Sequence, residues 1–214
     1  MRLYNKDEIS SMSIDEIKLE LIEIILSDKP TEKIEILREN KTLEMILPEL
    51  QRCYGFNQHN PNHDKDIYYH TLSVLDNTSP RLILRLAALL HDIGKPDSFT
   101  IDENQIGHFY RHNLKGEDIS KDILTRLKFH DETISKVCIL VREHMSKLEK
   151  PKERTIRRLI NRVGHENLQD LFELQIADIK GSSNKAGIEE IYEVWEKCER
   201  LILQGKSKKL LDIF

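Results

Sequence analysis

Apolar residues recur along most of this chain at intervals of three and four, the spacing that predicts amphipathic α-helices. The first clear helix opens at Ser13, where Ser13 and Glu16 have the spacing of a capping box, and we expect it to reach about Ser27. Further helices are predicted over residues 30 onward, 43–48, 66–76, 80–91, 117–129, 131–146, 152–163, 166–180 and 184–204. Residues 98–109 alone have strand-like sequence. We therefore predict an all-α helical bundle with at most a small β-hairpin.

Several polar residues that are good metal ligands fall on the apolar stripes of these helices. His91 and Asp92 end the strongly apolar helix 80–91, and His91 shares its stripe with apolar side chains. His70, His144 and Asp178 extend the apolar stripes of three other helices in the same way. A single buried histidine is usually satisfied by a backbone carbonyl, and a buried aspartate by a lysine. Several such positions on separate helices favour a divalent cation instead, because unpaired buried charges are very costly.

The same residues carry a resemblance to a known family. The series His70, His91-Asp92 and Asp178, with the run HDIGKP from His91, resembles the HD-domain metal-dependent phosphohydrolases. Members of that family that hold two metals add two histidines, and His112 and His144 occupy those places. The resemblance implies an HD-domain bundle in which Asp92 bridges two ions. Imidazole and carboxylate ligands suit Mn, Fe, Co, Ni or Zn, and less obviously Mg²⁺.

One branch of the family is closer: the HD and neck region of the bacterial tRNA nucleotidyltransferases, which include the CCA-adding enzymes and poly(A) polymerases. Segments 46–50, 60–63, 69–72, 108–112 and 123–129 resemble that region, and 31–50 resembles the neck. The resemblance implies a neck-like N-terminal subdomain over 1–50 and the HD phosphohydrolase domain over 51–214. We find no Gly-Gly or Gly-Ser loop followed by a strand with paired carboxylates, so CCA addition by this chain alone is not expected.

Three residues are candidates for direct catalytic roles, namely Asp92, Lys95 and His108. Lys95 could contact a phosphate, although it could also be a surface lysine that caps helix carbonyls. His108 could donate a proton to a leaving alkoxide, but a loop-stabilising role is the favoured interpretation. His63 could line the pocket as a substrate-binding residue, and the favoured alternative is an Asx-type turn.

A basic helix face provides the remaining candidates for substrate binding. Arg154 and Arg158 share one side of the helix 152–163 with Arg157 and Arg162, and could hold an RNA backbone or a nucleotide phosphate. The simpler interpretation is a solvated face that forms ion pairs with glutamates. The formal net charge of −4 excludes a global attraction to polyanions, so any nucleic-acid binding must be local.

The remaining composition predicts a cytoplasmic protein without a membrane segment. The three cysteines are widely spaced, which indicates a reducing compartment. No signal peptide is visible, and Arg85 interrupts the longest apolar stretch. The apolar helix 17–26 could pair with a second copy to form a homodimer.

These observations lead to one main functional hypothesis. We predict a phosphodiesterase or phosphatase that uses two divalent ions to activate water and acts on nucleotides, 2′,3′-cyclic phosphates or RNA 3′ ends. The alternative is an RNA- or tRNA-binding module that works with a separate nucleotidyltransferase subunit. A purely structural metal is disfavoured, because a structural site needs no second ion and no open position.

Overall fold

A computed structural model describes residues 5–59, 66–182 and 186–211 of the chain, with side chains to residue 204. Within these residues the helices are α1 Lys6–Ser11, α2 Ile14–Leu26, α3 Pro30–Glu39, α4 Leu43–Ile46, α5 Pro48–Gln51, α6 Ile67–Asp76, α7 Leu82–Leu90, α8 Lys95–Ser98, α9 His112–Arg126, α10 Asp131–Glu143, α11 Glu153–Val163, α12 Leu168–Gly181 and α13 Ile188–Leu211. Strands β1 Phe99–Ile101 and β2 Gly107–Phe109 lie between α8 and α9, and a 3-10 turn, His165–Asn167, precedes α12. The prediction of an all-α fold with a small hairpin is confirmed.

Helix α7 is the central element of the bundle. Every residue from Leu84 to Leu90 is buried, and α7 contacts α2, α6, α10 and α12. The sequence explains this position, since eight of the nine residues LILRLAALL are Leu, Ile or Ala without a polar face, as in a helix that is surrounded on all sides. The end of α7 therefore places His91 and Asp92 in the interior of the bundle.

Arg85 is the only charged residue within α7, and the structure gives it a capping role. Its guanidinium donates hydrogen bonds to the carbonyls of Ile25 and Ser27 at the end of α2, and to the carbonyl of Thr78. Helix ends leave backbone carbonyls without partners, so this arginine satisfies groups that would otherwise be buried unpaired. It thereby fixes the N-terminal helices against the centre of the bundle.

The hairpin is held to the bundle by aromatic packing. Strands β1 and β2 pair antiparallel with Phe99 opposite Phe109, and Phe56 packs edge-on against Phe99 with ring centroids 5.3 Å apart. The hairpin leads directly into α9. It therefore positions the first turn of that helix.

Several elements differ from the sequence prediction. Helix α1 was not predicted, because it buries only Ile9 and so has no apolar periodicity; it is defined by a capping box between Asn5 and Glu8. The short α8 was also missed. Helix α9 begins at His112 rather than at 117, and α13 starts at Ile188 rather than at 184.

The apolar face of α2 does not present itself to a second copy. Ile17, Leu21, Ile24 and Ile25 are buried in the hydrophobic core of the chain itself, so the proposed homodimer loses its structural basis. The predicted border between residues 1–50 and 51–214 stays a prediction. Among the described residues, none of the helices has the length and apolar character needed to cross a membrane.

Candidate metal centre

Six side chains from five places in the chain converge beyond the end of α7. One group consists of His70 on α6, His91 after α7 and Asp178 on α12, and the other of Asp92, His112 and His144. Within each group the potential ligand atoms lie within 4.8 Å of one another. The structure thus brings together all of the residues that were expected as metal ligands.

The carboxylate of Asp92 lies between the two groups. Its Oδ2 is 3.4 Å from Nε2 of His91 and 3.6 Å from Nε2 of His70. Its Oδ1 is 3.4 Å from Nε2 of His112 and 3.8 Å from Nε2 of His144. One carboxylate therefore offers a separate oxygen to each pair of imidazoles, which is the arrangement of a bridging ligand.

Three of the four imidazoles are oriented by the backbone. Nδ1 of His91, His112 and His144 lies 2.8, 2.9 and 2.7 Å from the carbonyl oxygen three residues earlier. A carbonyl oxygen only accepts, so Nδ1–H donates in each case and Nε2 faces the cluster. A ligating histidine almost always donates its other ring N–H in this way, which fixes the tautomer and ring direction.

The distances inside each group match those expected for atoms that share one ion. Nε2 of His70 and Nε2 of His91 are 3.3 Å apart, and Oδ1 of Asp178 lies 3.1 Å from the first. Nε2 of His112 and of His144 are also 3.3 Å apart. Ligand atoms about 2.1 Å from one transition-metal ion are separated by about 3 to 3.5 Å at tetrahedral or octahedral angles. The donor set therefore fits divalent cations without rearrangement.

The electrostatics of the cluster also favour a cation. Burial by itself raises the pKa of Asp92, but Lys95 and His91 outweigh it and hold that pKa well below its usual range. Burial likewise raises the pKa of Asp178, but the hydrogen bond with His70 and the charges of His91 and Lys147 together outweigh it, so that pKa is also lowered. Burial, followed by the charge of His91, lowers the pKa of His144 to about 3. Both carboxylates are thus ionised and His144 is neutral, as metal ligands require. Burial opposes protonation of His91, but Asp92 and Asp178 together outweigh it and raise the pKa of His91, so a bound cation would take the place of that proton.

Two lysines at the edge of the cluster each form an ion pair with one of its two carboxylates. Lys95 Nζ lies 2.7 Å from Oδ2 of Asp92, and Lys147 Nζ lies 2.7 Å from Oδ2 of Asp178. Lys95 was expected near the site, whereas Lys147 was missed. It lies in the turn after α10, where no helical periodicity marks it, and its spacing of three residues from His144 was the only available signal.

A cavity of about 380 Å³ opens over the cluster. Its lining is formed by five of the six expected ligands together with both lysines, three hairpin residues and others, namely His70, Asp92, Lys95, His108, Phe109, Tyr110, His112, His144, Met145, Lys147, Asp178 and Ser182. His91 is fully buried behind it. His108 lines the cavity, but its Nε2–H donates to Asp102 Oδ2 at 3.0 Å within the hairpin. This contact is the loop-stabilising role that was favoured for His108.

Among the described residues, the two arginines expected to bind substrate do not join this cavity. Arg154 and Arg158 are exposed on α11 and are absent from its lining. On the same helix Arg157 pairs with Glu153 at 2.7 Å and Arg162 with Glu143 at 2.9 Å, as the ion-pair interpretation anticipated. His63 lies outside the described residues.

Comparison with known proteins finds relatives that are named as tRNA nucleotidyltransferases or CCA proteins. The chain is 34% identical to the A-adding tRNA nucleotidyltransferase of Deinococcus radiodurans over 142 aligned residues. The aligned region covers 64% of this chain and 32% of that protein. It is 32% identical over 193 residues to the CC-adding tRNA nucleotidyltransferase of Thermus thermophilus, covering 87% of the chain and 42% of that protein. It is also 32% identical over 143 residues to a multifunctional CCA protein of Aromatoleum aromaticum, covering 64% and 34% respectively.

The chain thus spans less than half the length of these curated relatives. The family model described as "HD domain" matches residues 65–180, which is more than half of the chain and includes all six residues of the cluster. The resemblance carried by His70, the His91-Asp92 doublet and Asp178 is therefore confirmed. The chain belongs to the HD domain family.

Proposed function

We propose that this protein is a two-metal phosphohydrolase that cleaves phosphoesters of nucleotides or RNA 3′ ends, including 2′,3′-cyclic phosphates. The observation that carries the proposal is the position of Asp92, whose two carboxylate oxygens each face a separate pair of imidazoles. The proposal is also supported by the match to the HD domain family, together with the resemblance of this chain to the HD-domain metal-dependent phosphohydrolases. The relatives named for their action on tRNA make an RNA 3′ end a reasonable substrate.

In this proposal His70, His91, Asp92 and Asp178 hold one divalent ion, and Asp92, His112 and His144 hold the other. Two such ions, drawn from Mn, Fe, Co, Ni or Zn, would supply an activated water and a clamp for the phosphoester oxygens. The backbone bonds of the three Nδ1–H groups keep the imidazoles in place during turnover. Precise placement of this kind is what limits the cost of reorganisation in a catalytic site.

The two lysines supply the fixed positive charge that a phosphate requires. Lys95 and Lys147 lie on opposite carboxylates and both line the cavity. With ions bound, the negative charge of those carboxylates is shared with the metals, and each ammonium can turn to a phosphate oxygen. Charge-assisted contacts of this kind are short and about twice as strong as neutral ones.

Metal analysis and hydrolysis of bis-p-nitrophenyl phosphate test the proposal together. Purified protein is expected to bind close to two equivalents of transition metal. Asp92→Asn keeps the shape of the side chain but removes the bridging charge, and it should abolish both metal binding and hydrolysis. Asp122→Asn is the matched control, because Asp122 is exposed on α9 and lies outside the cluster.

Two results would contradict the proposal. Full hydrolytic activity of Asp92→Asn would show that the site is elsewhere. Binding of a single equivalent that His144→Ala leaves unchanged would show that His112 and His144 are pocket residues rather than ligands. His165→Ala, at an exposed histidine, provides the control for the histidine variants.

RNA binding by α11 is a separate part of the proposal. Arg154 and Arg158 would contact RNA phosphates, so tRNA binding should weaken steeply with salt and the slope should fall for the double variant Arg154→Gln/Arg158→Gln. Arg157→Gln, at an arginine already paired with Glu153, is the comparison. Weak binding with a flat salt response would exclude a role for this face in RNA recognition.

A further inference from the structure

The rim of the cavity differs chemically from its floor. The floor carries the imidazoles, carboxylates and lysines described above, whereas the rim carries Tyr110 from the hairpin side and Met145 from the turn after α10. Tyr110 is 69% exposed and Met145 is 52% exposed. Large apolar side chains in these positions contribute little to the hydrophobic core, so folding alone does not account for their placement at the same opening.

Tyr110 is also held in a defined orientation. Its ring stacks on the imidazole of His108, with centroids 5.3 Å apart and planes inclined by 13°. Because the side chain remains mostly exposed, this stack leaves aromatic surface of Tyr110 available at the cavity opening. An aromatic ring that is already oriented can stack on a planar ligand with little further loss of side-chain entropy.

A chain of hydrogen bonds fixes the underlying imidazole. Asp102 accepts backbone N–H groups from Asn104 and Ile106, both at 2.9 Å, and also accepts from His108 Nε2–H at 3.0 Å. The pKa of Asp102 is lowered, first by the bond with His108 and then by the bond with Ile106. The carboxylate is therefore ionised at neutral pH and keeps both the turn and the imidazole in place.

The backbone connects this ring pair to the metal cluster. Arg111, between Tyr110 and His112, has a left-handed conformation with φ of 59°, which is uncommon for a residue other than glycine. The next residue, His112, donates through Nδ1–H to the carbonyl of Phe109 at 2.9 Å. The geometry of this turn sets the directions of Tyr110 and His112 together. Strained backbone that is retained at such a junction is typical of functional sites.

We propose that Tyr110, supported by His108 and with Met145 at the same cavity opening, forms a nucleobase-binding platform, so that the site selects nucleoside phosphoesters over simple phosphoesters. The inference rests on the proposed phosphohydrolase function, since it places the phosphate on the metal floor. A nucleotide needs both surfaces: charge for its phosphate and an apolar face for its base. The cavity of about 380 Å³ falls within the size range of small-ligand sites.

Two cyclic phosphodiesters that differ in the base test the proposal. Adenosine 2′,3′-cyclic phosphate carries a base, and propane-1,2-diol cyclic phosphate has the same five-membered ring without one. In the metal-loaded protein, Tyr110→Ala should lower kcat/KM for the adenosine substrate by about 5- to 100-fold, mainly through KM, as for other stacking aromatics. The base-free substrate should be unaffected, and Tyr110→Phe should retain the wild-type preference.

Tyr192→Ala is the matched control. Tyr192 is 50% exposed and also stacks on a neighbouring ring, that of Trp195, but it does not line the cavity. An equal loss on both substrates for Tyr110→Ala would overturn the proposal, because it would indicate a general effect on the hairpin. No loss on either substrate would overturn it as well.

A binding measurement separates this proposal from the proposed function. Calorimetry compares AMP with ribose 5-phosphate, and the wild-type protein should bind AMP more tightly by a margin that Tyr110→Ala removes. If that preference is found but neither cyclic ester is hydrolysed, the phosphohydrolase function fails and the base platform stands. If AMP and ribose 5-phosphate bind equally, the base platform is wrong whatever the hydrolytic activity.

Discussion

A single added methyl group at Gly94 should disturb the group of potential ligands formed by Asp92, His112 and His144. A Cβ atom on Gly94 would lie 2.2 Å from the carbonyl oxygen of His112 and 2.5 Å from the amide nitrogen of Gly116. Both atoms belong to the backbone of α9, so no side-chain rotation can relieve the contact. Position 94, two residues after Asp92, is thus required to be glycine by the close approach of α9, since its own φ of −83° is open to any residue.

The size of the effect follows from these distances. Normal contact would require the turn and the first residues of α9 to separate by roughly 1 Å, and overpacking of a tight interior typically costs about 1 to 3 kcal/mol. We expect a loss at the upper end of that range, about 3 kcal/mol, for Gly94→Ala. The same movement carries His112 away from Asp92, and a displacement of about 1 Å at a catalytic group can lower the rate by about 100-fold.

Gly116→Ala is the control on the other side of the same contact. Its Cβ would meet Cγ1 of Val141 at 3.2 Å, which is a side-chain atom that can move. Alanine is favoured over glycine within a helix by about 1 kcal/mol, so the net change should be small. Urea denaturation of the metal-free proteins and calorimetric titration with Mn²⁺ measure both effects. If Gly94→Ala unfolds at the wild-type urea concentration and binds the second ion normally, the close approach does not constrain the cluster.

Three further predictions concern the metal, the second lysine and a structural ion pair. Mn²⁺ at about 100 times its Kd should raise the free energy of unfolding by about 2.7 kcal/mol, and a chelator should reverse the change; no shift in urea denaturation would count against a metal centre. Lys147→Met should raise the KM for a phosphoester by about tenfold, because it removes one charge-assisted phosphate contact, while kcat and the metal content of the purified variant stay unchanged. A lower metal content of that variant would instead show that Lys147 serves to hold Asp178 in place. The Glu173 carboxylate is buried in part, which raises its pKa, but bonds from Gln169, Arg81 and Ser79 outweigh this and lower it. Its stabilisation is therefore present at neutral pH and lost as the pH falls through the folded-state pKa, so the deficit of Glu173→Gln, about 1 kcal/mol at pH 7, should shrink between about pH 6 and pH 3 in denaturation experiments.

Helical periodicity was enough to predict that most of the side chains in the cluster point into the interior of the bundle. His91 and Asp178 lie on apolar stripes whose other members are buried or partly buried, and the stripe predicts the inward direction of each side chain. The repeated occurrence of such positions on separate helices then indicated a shared cation. This part of the site follows from pattern because it is built from regular helices.

The parts that sequence reasoning missed or misread lie where the helices end. Helix α9 starts at His112 after Arg111 in a left-handed conformation, and arginine gives no capping signal there. The requirement for glycine at position 94 comes from the close approach of the α9 backbone. Both features depend on contacts between segments that are distant in sequence, and local sequence propensities carry no information about such contacts.

The orientation of the imidazoles also has a local origin that links folding to the site. His91 and His144 are the C-cap residues of α7 and α10, and each donates Nδ1–H to the carbonyl three residues earlier. The last carbonyls of a helix lack backbone partners, so each histidine satisfies a group that the helix end leaves open. The same bond fixes which nitrogen carries the proton and turns Nε2 towards Asp92. In these two helices, therefore, the interaction that completes the helix end also prepares the ligand, and the site needs no additional side chain to hold these two imidazoles.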